Sequence, residues 1–388
     1  MAQRILEPVD AAGVAAALRA ADAEGRSVAV RGAGTKIAPA AADVVVSTTK
    51  LTRGLDHVAG DLVATVPAGV SLDSLNDVLR RQRQWLPLDP PRRDRATIGG
   101  IVATNDSGPR RHRFGAPRDL IIGIEIALVD GRLAKAGGRV VKNVAGYDLS
   151  KLMCGSLGTL AVVTSATFKL SPVAPSSRTL VASLSDLRRL STLALTLANA
   201  PSISPTAIEL QSPPYRLLVR FETTESAAAA QTTIAAGLCE QFGASRSVVS
   251  GVSEADMWHD HETRIFETAG TVVKIAVLPT DVAEMLSTVE RVTASASVES
   301  ALSGRAALGI LFLRLGGHAS AHARIVGDLR NAATARGGSV VVVSAASEDV
   351  TKAIARWGSV GDAEPVMRAV KARFDRHNIL NATLAPWD

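Results

Sequence analysis

The opening third of the chain alternates short apolar runs with glycine-rich breaks. An Ala/Leu-rich stretch behind Asp10 carries the helical period to about residue 23, where Gly25 stops it. Residues 27–30, 43–47 and 61–66 have the β-branched character of short strands. Pro67-Ala-Gly69 turns into a predicted helix over 71–84, with Leu72, Leu75, Val78 and Leu79 on one face. Three prolines between 87 and 91 forbid a helix there. Strand-like runs follow at 120–129 and 160–170, separated by a mixed helix and glycine-turn segment over 140–159.

The pattern shifts at 171–177, where prolines read as a linker. Beyond it, strands are expected at 207–210, 217–221, 272–278, 308–315 and 339–344. Helices are expected at 226–242, 281–292 and 320–336, with a tail helix from about 364 to 376. Strand pairs mixed with helices indicate an α+β domain with an antiparallel sheet.

Composition narrows the function. Aromatic residues make up only 3% of the 388, too few for a nucleic-acid stacking platform. Residues 80–119 hold ten arginines against four aspartates, a surplus equal to the whole-chain charge of +6. This reads as a solvated loop, an anion site or a docking face for an acidic partner, without the recognition motifs of DNA binding. Two distant cysteines, Cys154 and Cys239, supply neither an iron–sulfur cluster nor a structural zinc site. Glu7 and Asp10 interrupt any signal-peptide core, and no run of about 18 apolar residues occurs, so a cytoplasmic protein without a transmembrane segment is expected.

Three small-residue motifs carry the chemistry. The loop Arg31-Gly-Ala-Gly-Thr35-Lys36 fails the dinucleotide fingerprint, because its third glycine position is Ile37. It fails the Walker A order as well, but its small residues would still bring backbone N–H groups to an anion beside Arg31 and Lys36. Thr97-Ile-Gly-Gly100 with Ala103-Thr-Asn-Asp-Ser-Gly108 suits either a flat ligand or a tight helix–sheet contact. Ala145-Gly-Tyr-Asp-Leu149 with Gly155-Ser-Leu-Gly-Thr-Leu160 is the third, marked by Tyr147 in a chain with two tyrosines.

Read in order, R-G-A-G-T, P-A-G-V-S-L, L-P-L-D-P-P, T-I-G-G-I-V-A-T-N, S-G-P-R-R, K-N-V-A-G-Y-D-L-S-K-L and G-S-L-G-T-L resemble the PCMH-type FAD-binding domain of the vanillyl-alcohol oxidase superfamily. The S-G-P-R-R and V-K-N-V-A-G-Y-D-L-S-K-L-M segments most resemble the FAD-binding E subunits of bacterial glycolate oxidase. The strong part covers roughly residues 25–172.

The resemblance implies an α+β chain: a two-subdomain PCMH-type FAD-binding domain over 1–172, an α+β cap domain with an antiparallel sheet over 173–363, and a segment over 364–388 returning to the FAD domain. It places Arg31, Gly32, Ala33, Gly34 and Thr35 on the FAD pyrophosphate. Pro90, Thr97, Gly99, Gly100, Thr104, Asn105 and Gly108 would line the flavin and ribityl chain, with Gly158 and Val163 touching the cofactor. Relatives that attach FAD covalently do so through a histidine where this chain has Thr35, so non-covalent FAD is expected.

The implied activity is oxidation of glycolate, a small 2-hydroxy acid, to glyoxylate. A second FAD subunit and an iron–sulfur subunit would be partners, and these would account for any peripheral placement at the inner membrane. A self-sufficient dehydrogenase of another 2-hydroxy acid and a non-catalytic flavin scaffold are the alternatives. Arg110, Arg111 and His112 are the nearby cluster able to hold a carboxylate and take a hydroxyl proton. The chain departs from the family in two places. Gly316-Gly-His318 lacks the catalytic subunits' Asp-Gly-Asn and second histidine, which favours a surface or core role for His318. Ile379-Leu-Asn381 is followed by Ala-Thr rather than Pro-Gly-Arg. His259 and His261, two apart, cannot share a helical face as a metal pair.

Overall fold

A computed structural model describes residues 3–36, 41–139 and 147–387. The chain divides into two compact units. The first joins residues 1–108, 114–173 and 359–388; the second joins 109–113 and 174–358.

In the first unit, strand Val44–Ser47 lies parallel between Arg4–Leu6 and Val28–Arg31. Helix Ala11–Ala23 carries the chain from Arg4–Leu6 to Val28–Arg31 on the far side of the central strand, and is capped by Asp10 through the N–H of Gly13. A five-stranded antiparallel sheet follows, in the order Asp56–Val58, Val63–Pro67, Val162–Lys169, Ile121–Ala127, Leu133–Gly137. Leu72, Leu75 and Leu79 of helix Leu72–Arg80 enter one apolar core with Val66, Ile98, Ile126 and Phe168.

That helix ends before the predicted residue 84. The Asn76 side chain accepts from the N–H of Leu86 and donates to its carbonyl, and Arg83 takes a left-handed conformation to let the chain return. Gln84–Trp85 then pairs with Ser171–Pro172. The predicted linker is therefore ordered: these two residues form a strand, and another begins at Ser176.

The second unit is an eight-stranded antiparallel sheet, as the sequence pattern indicated in kind. Its order is Ser245–Ser250, Ser176–Ser183, Arg216–Thr223, Ala207–Ser212, Ser300–Arg305, Ile310–Leu315, Thr271–Ala276, Ser339–Ser344. Side chains alternate between faces along a strand. One parity (Leu180, Val219, Ile208, Leu313, Ile275) packs with helices Leu187–Asn199, Glu225–Gln241, Val282–Ser295 and His322–Thr334 in the largest core. The other parity includes Thr179, Arg220, Glu209, Arg305 and Arg314, and meets helix Gly251–Phe266. Sequence reasoning missed that helix, because its buried stripe of Glu254, Trp258, His261 and Ile265 is only half apolar. It also missed Leu187–Asn199, whose signal was present: an Asp186 cap ahead of Leu187, Leu190, Leu193 and Leu197.

Candidate functional site

Within the first unit the C-terminal ends of the parallel strands open onto a cleft. It is lined by residues 29–36, by Val45 and Thr48, and by Thr97, Gly99, Gly100, Ala103 and Thr104. Leu157, Gly158, Ala161, Val162, Val163, Asn381 and Leu384 complete it.

The loop after strand Val28–Arg31 is the chemically active wall. Among the described residues, none accepts a hydrogen bond from the backbone N–H of Gly32, Ala33, Gly34 or Thr35. Gly32 and Thr35 are half-buried and Ala33 and Gly34 exposed; a run of four donors not used within the protein marks a place for an acceptor-rich ligand. The Arg31 guanidinium is likewise without an ion-pair partner among the described residues. Lys36 is different: its ammonium lies 2.6 Å from Asp106 and donates to the Pro91 carbonyl, so its charge is spent on holding the loop. Arg92 braces the same loop through the Thr35 carbonyl.

The glycines divide into two kinds. A Cβ on Gly99 would come within 2.9 Å of the Ala68 side chain, and one on Gly32 would strike the Thr97 hydroxyl. These two are small because protein packs on them. Gly34 has nothing closer than Arg31 Cδ at 3.8 Å, and its φ of +70° favours glycine. Gly100 meets only Thr97 Oγ1, at 3.2 Å. Their backbones face open space, a cradle that side chains would fill.

The three small-residue motifs converge by backbone contacts. Helix Ile98–Thr104 starts at Thr97, whose hydroxyl accepts from the Gly100 N–H. The N–H groups of Gly155 and Leu157 donate to the carbonyls of Val102 and Ala103. Asn381 closes the cleft from the tail: its Oδ1 accepts from the Val30 N–H at 2.9 Å and its Nδ2 donates to the Leu157 carbonyl at 2.8 Å. Buried Lys371 fixes this tail by donating to the carbonyls of Thr159 and Leu380 and to Asp375. The altered ending thus still reaches the cleft, because Asn381 is retained.

Of the predicted cofactor residues, Arg31, Gly32, Ala33, Gly34, Thr35, Thr97, Gly99, Gly100, Thr104, Gly158 and Val163 all line the cleft. Pro90, Asn105 and Gly108 do not. Pro90 is buried, Asn105 ends the helix and accepts from the Arg118 N–H, and Gly108 is packed on Asp89. Thr48, Leu157, Asn381 and Leu384 were missed; Asn381 alone carried a signal, as the last residue before the departure from the family's ending. Tyr147 is 93% exposed and outside the cleft, and Ala145 and Gly146 of its motif lie outside the described residues, as does Ile37.

The cluster Arg110, Arg111, His112 belongs to the second unit. Arg110 is buried and makes a bidentate pair with Glu222, Nε to Oε2 at 2.9 Å and the terminal nitrogen to Oε1 at 2.8 Å. Burial works to raise the Glu222 pKa, but the hydrogen bonds and charge of Arg110 outweigh it and hold the carboxyl below its usual range. The charge of Arg110 is thus already matched by Glu222 inside the protein. Burial lowers the His112 pKa against an opposing pull from Glu209, and its Nδ1 has no hydrogen-bond partner. Burial thus favours the neutral form of His112, which has one nitrogen to spare.

His261 is buried between Glu209 and Gln211, whereas His259 and His318 are exposed. No group of three metal-ligating side chains occurs among the described residues. Both cysteines are free, and burial pushes the Cys154 thiol up to about 12. Among the described residues no helix is long and apolar enough to cross a membrane.

Residues 2–137 match the family described as FAD binding domain. The chain is 38% identical over 172 residues to D-lactate dehydrogenase of Archaeoglobus fulgidus, covering 43% of this chain and 38% of that one. It is 32% identical over 195 residues to glycolate oxidase subunit GlcD of Bacillus subtilis (49% and 41%), and 43% identical over 113 residues to glycolate oxidase subunit GlcE of Escherichia coli (29% and 32%). The matched segments thus span well under half of these relatives. A solved structure of alkyldihydroxyacetonephosphate synthase superposes with a TM-score of 0.73, at 15% identity, over 97% of this chain and 76% of that one; it shares the fold. FAD is the cofactor, and the cleft fits it: N–H donors and an arginine without partners among the described residues for a diphosphate, and bare glycine backbone for a flat ring.

Proposed function

We propose that this chain is the FAD-binding subunit of a glycolate oxidase (dehydrogenase) complex, oxidising glycolate to glyoxylate and passing electrons to a second FAD subunit and an iron–sulfur subunit. The observation that carries the reading is the 43% identity to the Escherichia coli subunit over 113 residues. The cofactor is held without a covalent bond: no histidine, cysteine or tyrosine is among the described residues lining the cleft.

In this reading Arg31 and the N–H groups of 32–35 hold the diphosphate, and the tail through Asn381 keeps the loop closed. Bound FAD supplies a two-electron acceptor for the hydride leaving the α-carbon. Within the second unit, His112 has its pKa lowered by burial and keeps a spare ring nitrogen able to take a proton. Arg110 orients the His112 segment through Glu222.

The test is anaerobic addition of glycolate to the FAD-loaded chain, alone and with its co-purified partners. Bleaching of the flavin absorbance by glycolate supports the reading. Bleaching only by D-lactate or D-2-hydroxyglutarate overturns it in favour of a dehydrogenase of another 2-hydroxy acid, and no bleaching in either preparation leaves a scaffold. Yellow colour retained by the acid-precipitated pellet would refute non-covalent binding.

A further inference from the structure

The second unit holds a cleft that the flavin reading does not use. Its walls include Arg216 at the start of strand Arg216–Thr223, Arg264 on helix Gly251–Phe266 and Arg314 on strand Ile310–Leu315. Only one of the three has a carboxylate within ion-pair distance among the described residues. Arg314, 7% exposed, reaches Glu299 at 2.9 Å and donates to the Ala269 carbonyl, but its buried Nε makes no hydrogen bond. Arg264 donates to the carbonyls of Ser212 and Pro213. Arg216 is exposed and without an ion-pair partner among the described residues.

Burial first, and then the positive charges of Arg314 and Arg216, push the Arg264 pKa down. The three guanidiniums therefore feel one another, and the nearest exposed acid, Glu299, offsets one charge. Like charges gathered at a partly buried place cost energy that an anion would recover. Guanidinium forks match oxyanions in shape as well as charge. Asp256 and Asp260 also line the cleft, and their charge disfavours an extended polyanion against a small ligand.

We propose that the cleft walled by Arg216, Arg264 and Arg314 binds a small doubly charged oxyanion, a phosphate group or a dicarboxylate. The site consists wholly of residues of the second unit, and the inference does not rest on glycolate oxidation.

The experiment is calorimetric titration of the FAD-saturated full chain with inorganic phosphate, with malonate, and with chloride at matched ionic strength. FAD occupies the flavin cleft throughout, which removes its loop as a competing phosphate site. We expect saturable one-to-one binding of phosphate or malonate and none of chloride. Phosphate alone identifies a phosphorylated ligand, and malonate alone a dicarboxylate. Arg216→Gln, at an exposed position, should weaken binding roughly tenfold. Asp260→Asn should tighten it, and Arg31→Gln should leave it unchanged. Absence of saturable binding by both oxyanions overturns the proposal. So does binding that Arg31→Gln weakens and Arg216→Gln does not.

Discussion

The flavin cleft of the first unit and the polar sheet face of the second use opposite means to prepare for charge. The cleft is built from backbone: Gly34 and Gly100 are bare, and among the described residues four N–H groups are unspent and one cation, Arg31, has no ion-pair partner, while Lys36 is neutralised by Asp106. Around Arg110, Glu209 and Glu254 the sheet face is built from long side chains matched to one another. Arg110 holds Glu222, Arg220 lies 3.2 Å from Glu254, and His261 bridges Glu209 and Gln211. Trp258 donates to Thr179, which donates to Glu254. Backbone donors have little freedom to find other partners, so they wait for the ligand in place. Buried side-chain charges must be paired within the protein, or the fold loses several kcal/mol. The first region is preorganised by what it lacks, the second by what it has satisfied.

The largest way to break this contrast is to leave one of those charges alone. Arg110→Ala strands the buried Glu222 carboxylate and should cost about 3–5 kcal/mol in urea unfolding. The double variant Arg110→Met/Glu222→Met should recover most of that loss, since the pair itself contributes little beyond its own desolvation.

A smaller effect is expected in the cleft, measured in FAD affinity rather than in stability. Arg31→Gln removes a charge-assisted contact to the diphosphate and should weaken FAD by about 1.5–3 kcal/mol, read by flavin fluorescence titration. The urea midpoint of the apo-protein should move little, because Arg31 pairs with no described side chain. A shift as large as that of Arg110→Ala would erase the distinction between the regions.

Asn381→Ala sharpens the comparison from the tail. It leaves the Val30 N–H and the Leu157 carbonyl without their partner, and should cost about 1–2 kcal/mol of FAD affinity or stability. The smallest effect belongs to His112. Its folded pKa is lowered, so below the usual histidine value of about 6.5 the unfolded chain binds a proton that the folded chain refuses. Stability is then lost as the pH falls toward the folded pKa, and His112→Gln should flatten that acid limb in a series of melts.

The two regions also differed in how far the sequence revealed them. Eleven of the fourteen residues expected around the cofactor line the cleft, because short glycine motifs act through the backbone of consecutive residues. Pro90, Asn105 and Gly108 are not among its lining residues; such residues serve packing and helix ends as readily as ligands. Gly108 against Asp89 is the clearest case. For Arg110 the partner Glu222 lies 112 residues away, and nothing local announces it.

What the sequence determined by itself was the set of local instructions: Asp10 as a cap, Pro67-Ala-Gly69 as a turn, the glycine loop after a strand, and apolar periods that made the second unit α+β. Each depends on neighbours within a few residues, where propensity and spacing are physical constraints. Tertiary structure alone decided which glycines were covered and which stayed open. It also decided that Asn381 would meet Val30 across 351 positions, and that the arginines at 110, 264 and 314 would be paired, capped or partly unsatisfied. Those outcomes depend on burial and on partners brought together by folding, and the energy of a charge is set by its surroundings rather than by its place in the chain.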